Sequence, residues 1–124
     1  MPRRRKDDAS LLYDMLAAAR LVVSFTAGKS WGDYEADALL RSGVERQIGI
    51  VGEAAWMTSS AFKAEHPEIP WEKIAPARHR LIHDYDRIDD TIVWSIATKH
   101  IPPLIAQIEA LLPPIPGGDS ETDA

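Results

Sequence analysis

The sequence predicts an all-α protein, an up-down bundle of four to five helices. Three observations carry this. Apolar residues recur three and four positions apart over long stretches, no run alternates apolar and polar residues as a half-buried strand does, and helix-start and helix-stop residues separate the periodic stretches. There is no internal repeat.

The first helix is expected from Asp8 to about Thr26, with Leu11, Leu12, Met15, Leu16, Ala19, Val22 and Val23 on one face and Gly28 as the stop. A second, the longest, should start near Asp33 as its cap and run to roughly Lys63, carrying Leu40, Val44, Ile48, Val51, Ala55 and Phe62. Gly43, Gly49 and Gly52 inside it each cost about 1 kcal/mol against alanine, which implies close packing against a neighbouring helix. His66 to Pro70 forms a loop, and Pro70 suits the first position of a third helix from about Trp71 to Ile82 or His83. Asp89 or Asp90 caps a fourth helix through Ile92, Val93, Ile96 and Thr98; Pro102 and Pro103 should interrupt it, with a short continuation from Leu104 to Leu112.

A length of 124 residues fits one domain and one core. We expect a flexible basic start at 1–7, a helical domain at 8–113 and a disordered acidic tail at 114–124. Hydrophobic residues make up 45% and charged residues 27%, as in soluble proteins, and the apolar runs read as too short for a membrane span. The absence of cysteine excludes disulfides, a thiol nucleophile and a cysteine zinc site. No apolar core follows Arg3 to Lys6, so the expected location is the cytoplasm, without membrane attachment. A net charge of −5 argues against a wide nucleic-acid-binding surface but leaves room for a small local site.

The chemistry concentrates in Pro76 to Asp89, PARHRLIHDYDRID. On one straight helix Arg78 and His83 diverge by about 140°, while Arg78 with Tyr85, and His79 with His83, share faces. Either the helix ends near His83, or the site forms between two chains packed along this helix, which predicts a symmetric dimer. Arginine offers a rigid fork of donors to a phosphate, and histidine exchanges a proton near neutral pH. Together they suffice for RNA cleavage without a metal, in which a base activates the ribose 2′-hydroxyl and an acid protonates the leaving 5′-oxygen. Spacing alone equally fits a solvated helix end with Arg80 paired to Asp84.

His66 and His100 read as ordinary surface or terminus residues. The i,i+4 pair His79/His83 lacks the context of a zinc motif, and no cofactor motif is present. Glu45 and Glu53 read as solvated or paired with Arg41 or Arg46, with Glu53 a candidate for positioning Arg78; the four tryptophans read as core or interface anchors.

The run Arg78-His79-x3-His83-x-Tyr85 resembles the Arg-x4-His-x-Tyr motif of the HepT-like branch of HEPN domains. The flanks agree: Val44 to Ala54 is similar to that family's second helix. Pro70-Trp71-x2-Ile74 precedes the motif, and Ile88-Asp89, Val93-Trp94 and Pro102-Pro103-Leu104 follow, so the resemblance spans roughly residues 8 to 112. It implies a homodimeric, metal-independent endoribonuclease, the toxin of a type VII-like toxin-antitoxin system partnered by an MntA-like nucleotidyltransferase. Arg78 and His83 are then the catalytic pair, His79 supports the site, and Tyr85 is the position the antitoxin silences by AMPylation. The alternative keeps the fold but makes the chain a non-catalytic substrate-binding or scaffold subunit of a nucleotidyltransferase.

Overall fold

The computed structural model describes residues 6–77 and 89–112. All regular structure among them is helical. The elements are α1 (Asp8–Thr26), α2 (Trp31–Ala36), α3 (Ala38–Met57), α4 (Ser60–Glu65), α5 (Trp71–Ile74), α6 (Asp90–Ser95), a π-helical turn (Ile96–His100) and α7 (Ile101–Leu111).

Helix α1 follows the expected bounds. Asp7 caps it by accepting the Ser10 N–H at 2.8 Å, and Gly28, at φ 72°, takes the left-handed conformation that ends the turn. Its length and mean hydropathy of 1.3 would let it cross a membrane on composition alone. Here its apolar stripe, Leu11, Leu12, Met15, Leu16, Ala19 and Val22, is buried, and α1 packs against α3 and α7. This is the placement of a core helix.

The segment expected as one helix from Asp33 to Lys63 is three. Asp33 does not cap the long helix. It is the third residue of α2, where it forms a reciprocal capping box: its N–H donates to Ser30 Oγ at 3.1 Å, and its carboxylate accepts the Ser30 N–H at 2.9 Å. Asp37, extended at φ −117°, caps α3 by accepting the Leu40 N–H at 3.0 Å. At the far end Thr58 leaves the helix, its buried hydroxyl donating to the Ala54 carbonyl at 2.8 Å, and Ser59 caps α4. Asp8 holds this corner to the start of α1, accepting the Ser59 N–H at 2.9 Å and its hydroxyl at 2.7 Å.

The glycine expectation has a concrete counterpart at Gly43, where a Cβ would lie 3.3 Å from the Phe25 ring of α1. Pro102 and Pro103 do not interrupt the last helix. They occupy the first turn of α7, and the N–H bonds they cannot make are accommodated by a widened turn in which the Ile101 N–H reaches back to the Ile96 carbonyl. Val93, Ala97, Ile101, Leu104 and Ile108 stay on one buried face through that turn.

Candidate functional site

The residues that carry the expected chemistry, Arg78, His79, His83 and Tyr85, lie outside the described residues. The structure describes what holds both ends of their segment.

The leading end begins at the loop His66 to Pro70. Trp71 is buried, and its indole N–H donates to the His66 carbonyl at 2.9 Å. The ring lies edge-on to Phe62 at 6.3 Å. Gln107 of α7 donates to the Glu68 carbonyl at 3.0 Å, so the loop is fastened to the last helix as well. From there Ile74, Ala75 and Ala77 pack against the core.

At the trailing end Asp89 caps α6, accepting the Thr91 N–H at 2.9 Å and its hydroxyl at 2.5 Å. The hydroxyl and backbone of Thr91 hold the Asp89 carboxyl below its ordinary pKa. Asp90 then meets α3, with Arg41 Nε 3.7 Å from its Oδ2. The same guanidinium donates to the carbonyls of Tyr34 and Glu35, the first at 3.4 Å, and so closes the C-terminal end of α2.

Around this contact lies a polar knot under an aromatic cover. Tyr34 is fully buried between Trp31 and Trp94, with ring centroids 6.1 and 5.1 Å away. Its hydroxyl has no hydrogen-bond partner among the described residues. Burial, reinforced by the carboxylates of Glu45 and Asp90, pushes the phenol pKa up. Burial also raises the Glu45 carboxyl, with Asp90 adding to the effect and Arg41 opposing it.

Both ends are therefore moored on α3. The leading end shares a cavity with Ile48 and Val51, and the trailing end meets Arg41, seven residues or about 10 Å away along the helix axis. That cavity, of about 370 Å³, opens between α3, the 70–77 stretch, the π-helical turn and α7. Ile48, Val51 and Leu104 give it an apolar floor, while Lys73, Lys99 and His100 line it with basic groups.

Several expectations meet their structure here. His100, read as an ordinary terminal residue, lines the cavity. His66 faces Glu68 at 3.2 Å and lies against Phe62 at 4.4 Å. Glu45 has Arg41 as an electrostatic neighbour, as its spacing implied, but it is partly buried rather than solvated. Trp31, Trp71 and Trp94 join the core, whereas Trp56 is 57% exposed. Reading the sequence missed the knot at Tyr34, Arg41 and Asp90 and the basic cavity. Their members come from separate helices, and the available signal was the Ser30-x-x-Asp33 box that starts α2.

The family model described as Ribonuclease HepT-like matches residues 15–111. A Methanocaldococcus jannaschii protein named "Putative RNase" is 30% identical over 118 residues, 95% of this chain and 98% of that protein. A second protein of that organism with the same designation is 30% identical over 105 residues, 85% of this chain and 96% of the relative. The "Probable ribonuclease HepT" of Thermococcus cleftensis is 35% identical over 111 residues, 90% of this chain and 98% of the relative. No solved structure gives a significant match.

Proposed function

This chain belongs to the HepT-like ribonuclease family, and on that premise we propose that it is a metal-independent endoribonuclease that acts as the toxin of a toxin-antitoxin pair. The observation that carries the reading is the Arg78-x4-His83-x-Tyr85 motif, set in flanks that match the family over most of the chain.

In this reading two protomers face each other across the motif segments. A histidine takes the proton of a ribose 2′-hydroxyl, whose oxygen attacks the adjacent phosphorus. The bond to the 5′-oxygen breaks, and a second histidine supplies the proton that oxygen needs, leaving a 2′,3′-cyclic phosphate and a 5′-hydroxyl. His83 from each protomer, or His83 with His79, divides these roles, and Arg78 stabilises charge on the phosphate oxygens. DNA lacks the 2′-hydroxyl and is spared.

Tyr85 is the silencing site. An MntA-like nucleotidyltransferase directs the phenol oxygen onto the α-phosphorus of ATP, pyrophosphate leaves, and the phenol proton passes to solvent. The added AMP brings bulk and negative charge beside the phosphate site and repels RNA. The whole cycle belongs in the cytoplasm.

Incubating the purified homodimer with total RNA in EDTA tests the proposal. Wild-type cleavage that disappears in Arg78→Ala supports it; equal, negligible cleavage by both folded proteins favours the scaffold-subunit reading. Intact mass after incubation with the partner enzyme and ATP tests the silencing step, which Tyr85→Phe should abolish.

A further inference from the structure

An acidic ribonuclease needs somewhere to lead its substrate. With a net charge of −5 the chain has no general attraction for RNA, so any path for the strand beyond the reacting phosphate must be a local concentration of positive charge. The described surface offers one at the cavity between α3, the 70–77 stretch, the π-helical turn and α7.

Three features single it out. Lys73, Lys99 and His100 line one opening although they come from two separate segments, and neither lysine forms an ion pair among the described residues. The carboxylate that also lines it, Glu68, faces His66 at 3.2 Å. The volume of about 370 Å³ falls in the range of about 300–1,000 Å³ usual for small-ligand sites, and apolar side chains floor it.

The backbone supports the same assignment. Lys99 and His100 sit in the π-helical turn, a geometry that re-aims side chains and that the following proline pair makes necessary. Ala77 lines the cavity too, one residue before Arg78, so the opening adjoins the catalytic segment along the chain.

We propose that this cavity is a single-stranded RNA subsite, in which Lys73, Lys99 and His100 hold the phosphate of a nucleotide flanking the scissile bond and the Ile48, Val51 and Leu104 floor receives its base. The inference rests on the ribonuclease reading. It adds a substrate-binding surface distinct from the motif residues.

The test is fluorescence anisotropy with a labelled single-stranded RNA dodecamer in EDTA, over a series of salt concentrations. It compares His83→Ala, used as the non-cleaving parent, with the same protein carrying Lys73→Gln and Lys99→Gln. Lys29→Gln, an equal charge change between α1 and α2, is the control, and circular dichroism with sedimentation confirms fold and dimer. The double lysine variant should bind about tenfold more weakly, with a salt slope shallower by about 1.4, or 0.7 for each lost phosphate contact. Lys29→Gln should stay within about twofold of the parent. In the wild-type background the lysine changes should raise KM for the dodecamer while leaving turnover of a dinucleotide unchanged.

Unaltered affinity and slope in the lysine variant, beside a parent that binds, would overturn the subsite and leave the ribonuclease reading standing. Lysine changes that dissociate the dimer without altering RNA affinity per dimer would assign the cavity to the subunit interface and overturn it as well. A folded parent that binds no RNA would bring down the ribonuclease reading and the subsite together.

Discussion

Arg41 Nε stands 3.7 Å from Asp90 Oδ2, so α3 holds the first turn of the helix that follows the motif segment. The two side chains are 27% and 37% exposed, which limits the Coulombic gain. A double-mutant cycle in urea, with Arg41→Ala and Asp90→Asn, should give a coupling of about 0.5–1 kcal/mol. Arg41→Ala alone should cost more, about 1–2 kcal/mol, because the Tyr34 and Glu35 carbonyls lose their donor too. A single-mutant cost no larger than the coupling would show that the carbonyl contacts contribute nothing.

Tyr34 buries its ring completely while its hydroxyl has no partner among the described residues. Tyr34→Phe removes an unsatisfied polar atom and keeps the packing against Trp31 and Trp94, so it should be neutral or stabilising by up to about 1 kcal/mol. Tyr34→Ala should cost about 3–5 kcal/mol through the cavity it opens. Marked destabilisation by Tyr34→Phe, read from thermal or urea melts, would mean that the hydroxyl is satisfied in solution.

Glu45 gives a pH signature. Its carboxyl is raised above 4.5 by burial, so in the acid range the folded state holds the proton more tightly than the unfolded chain does. Stability contributed by the neutral form is then lost as pH rises from 4.5 through the folded value. Glu45→Gln should therefore gain on the wild type across that window and be the more stable protein at pH 7, with the advantage gone at pH 4. Asp89 works in the opposite sense: its lowered carboxyl contributes stability above 3.8 that disappears as pH falls through the folded value. Urea midpoints from pH 4 to 8 separate the two, and a Glu45→Gln variant weaker than wild type at pH 7 would refute the first.

The corner between α3 and α4 depends on Thr58 and Ser59. Thr58 is 3% exposed and donates to Ala54 from inside the corner, and Ser59 bonds Asp8 through both its N–H and its hydroxyl. Ser59→Ala removes a helix cap and the hydroxyl contact with Asp8, and should cost about 1–2 kcal/mol. Faster hydrogen exchange confined to α4 and the first turn of α1 should accompany it. A uniform change across the chain would contradict the local role.

How far the sequence foretold this molecule depends on what each signal records. Helix α1 was legible at both ends because its apolar period starts beside an acidic cap and stops at Gly28. The break at Asp37 was not, since α2 and α3 keep nearly the same apolar register across a single extended residue and periodicity does not register one residue. Thr58-Ser59 escaped for the same reason. The proline pair was read as an interruption because proline removes N–H donors, yet a wider turn absorbs that loss. At the site, residue types and flanks pointed to a family that the match over residues 15–111 supports. The basic cavity could not be read in advance, because Ile48, Lys73 and Lys99 meet only in three dimensions.

The central claim is that this chain cleaves RNA by 2′-hydroxyl attack. The most direct measurement takes an oligonucleotide that the unmodified homodimer cuts at one position in EDTA, and repeats the digestion with that nucleotide replaced by its 2′-deoxy form. The account predicts a 2′,3′-cyclic phosphate at the original cut, no cut at the deoxy position, and no cut of either strand by His83→Ala. Cleavage that persists at the deoxy nucleotide, or that His83→Ala performs at the wild-type rate, would contradict it.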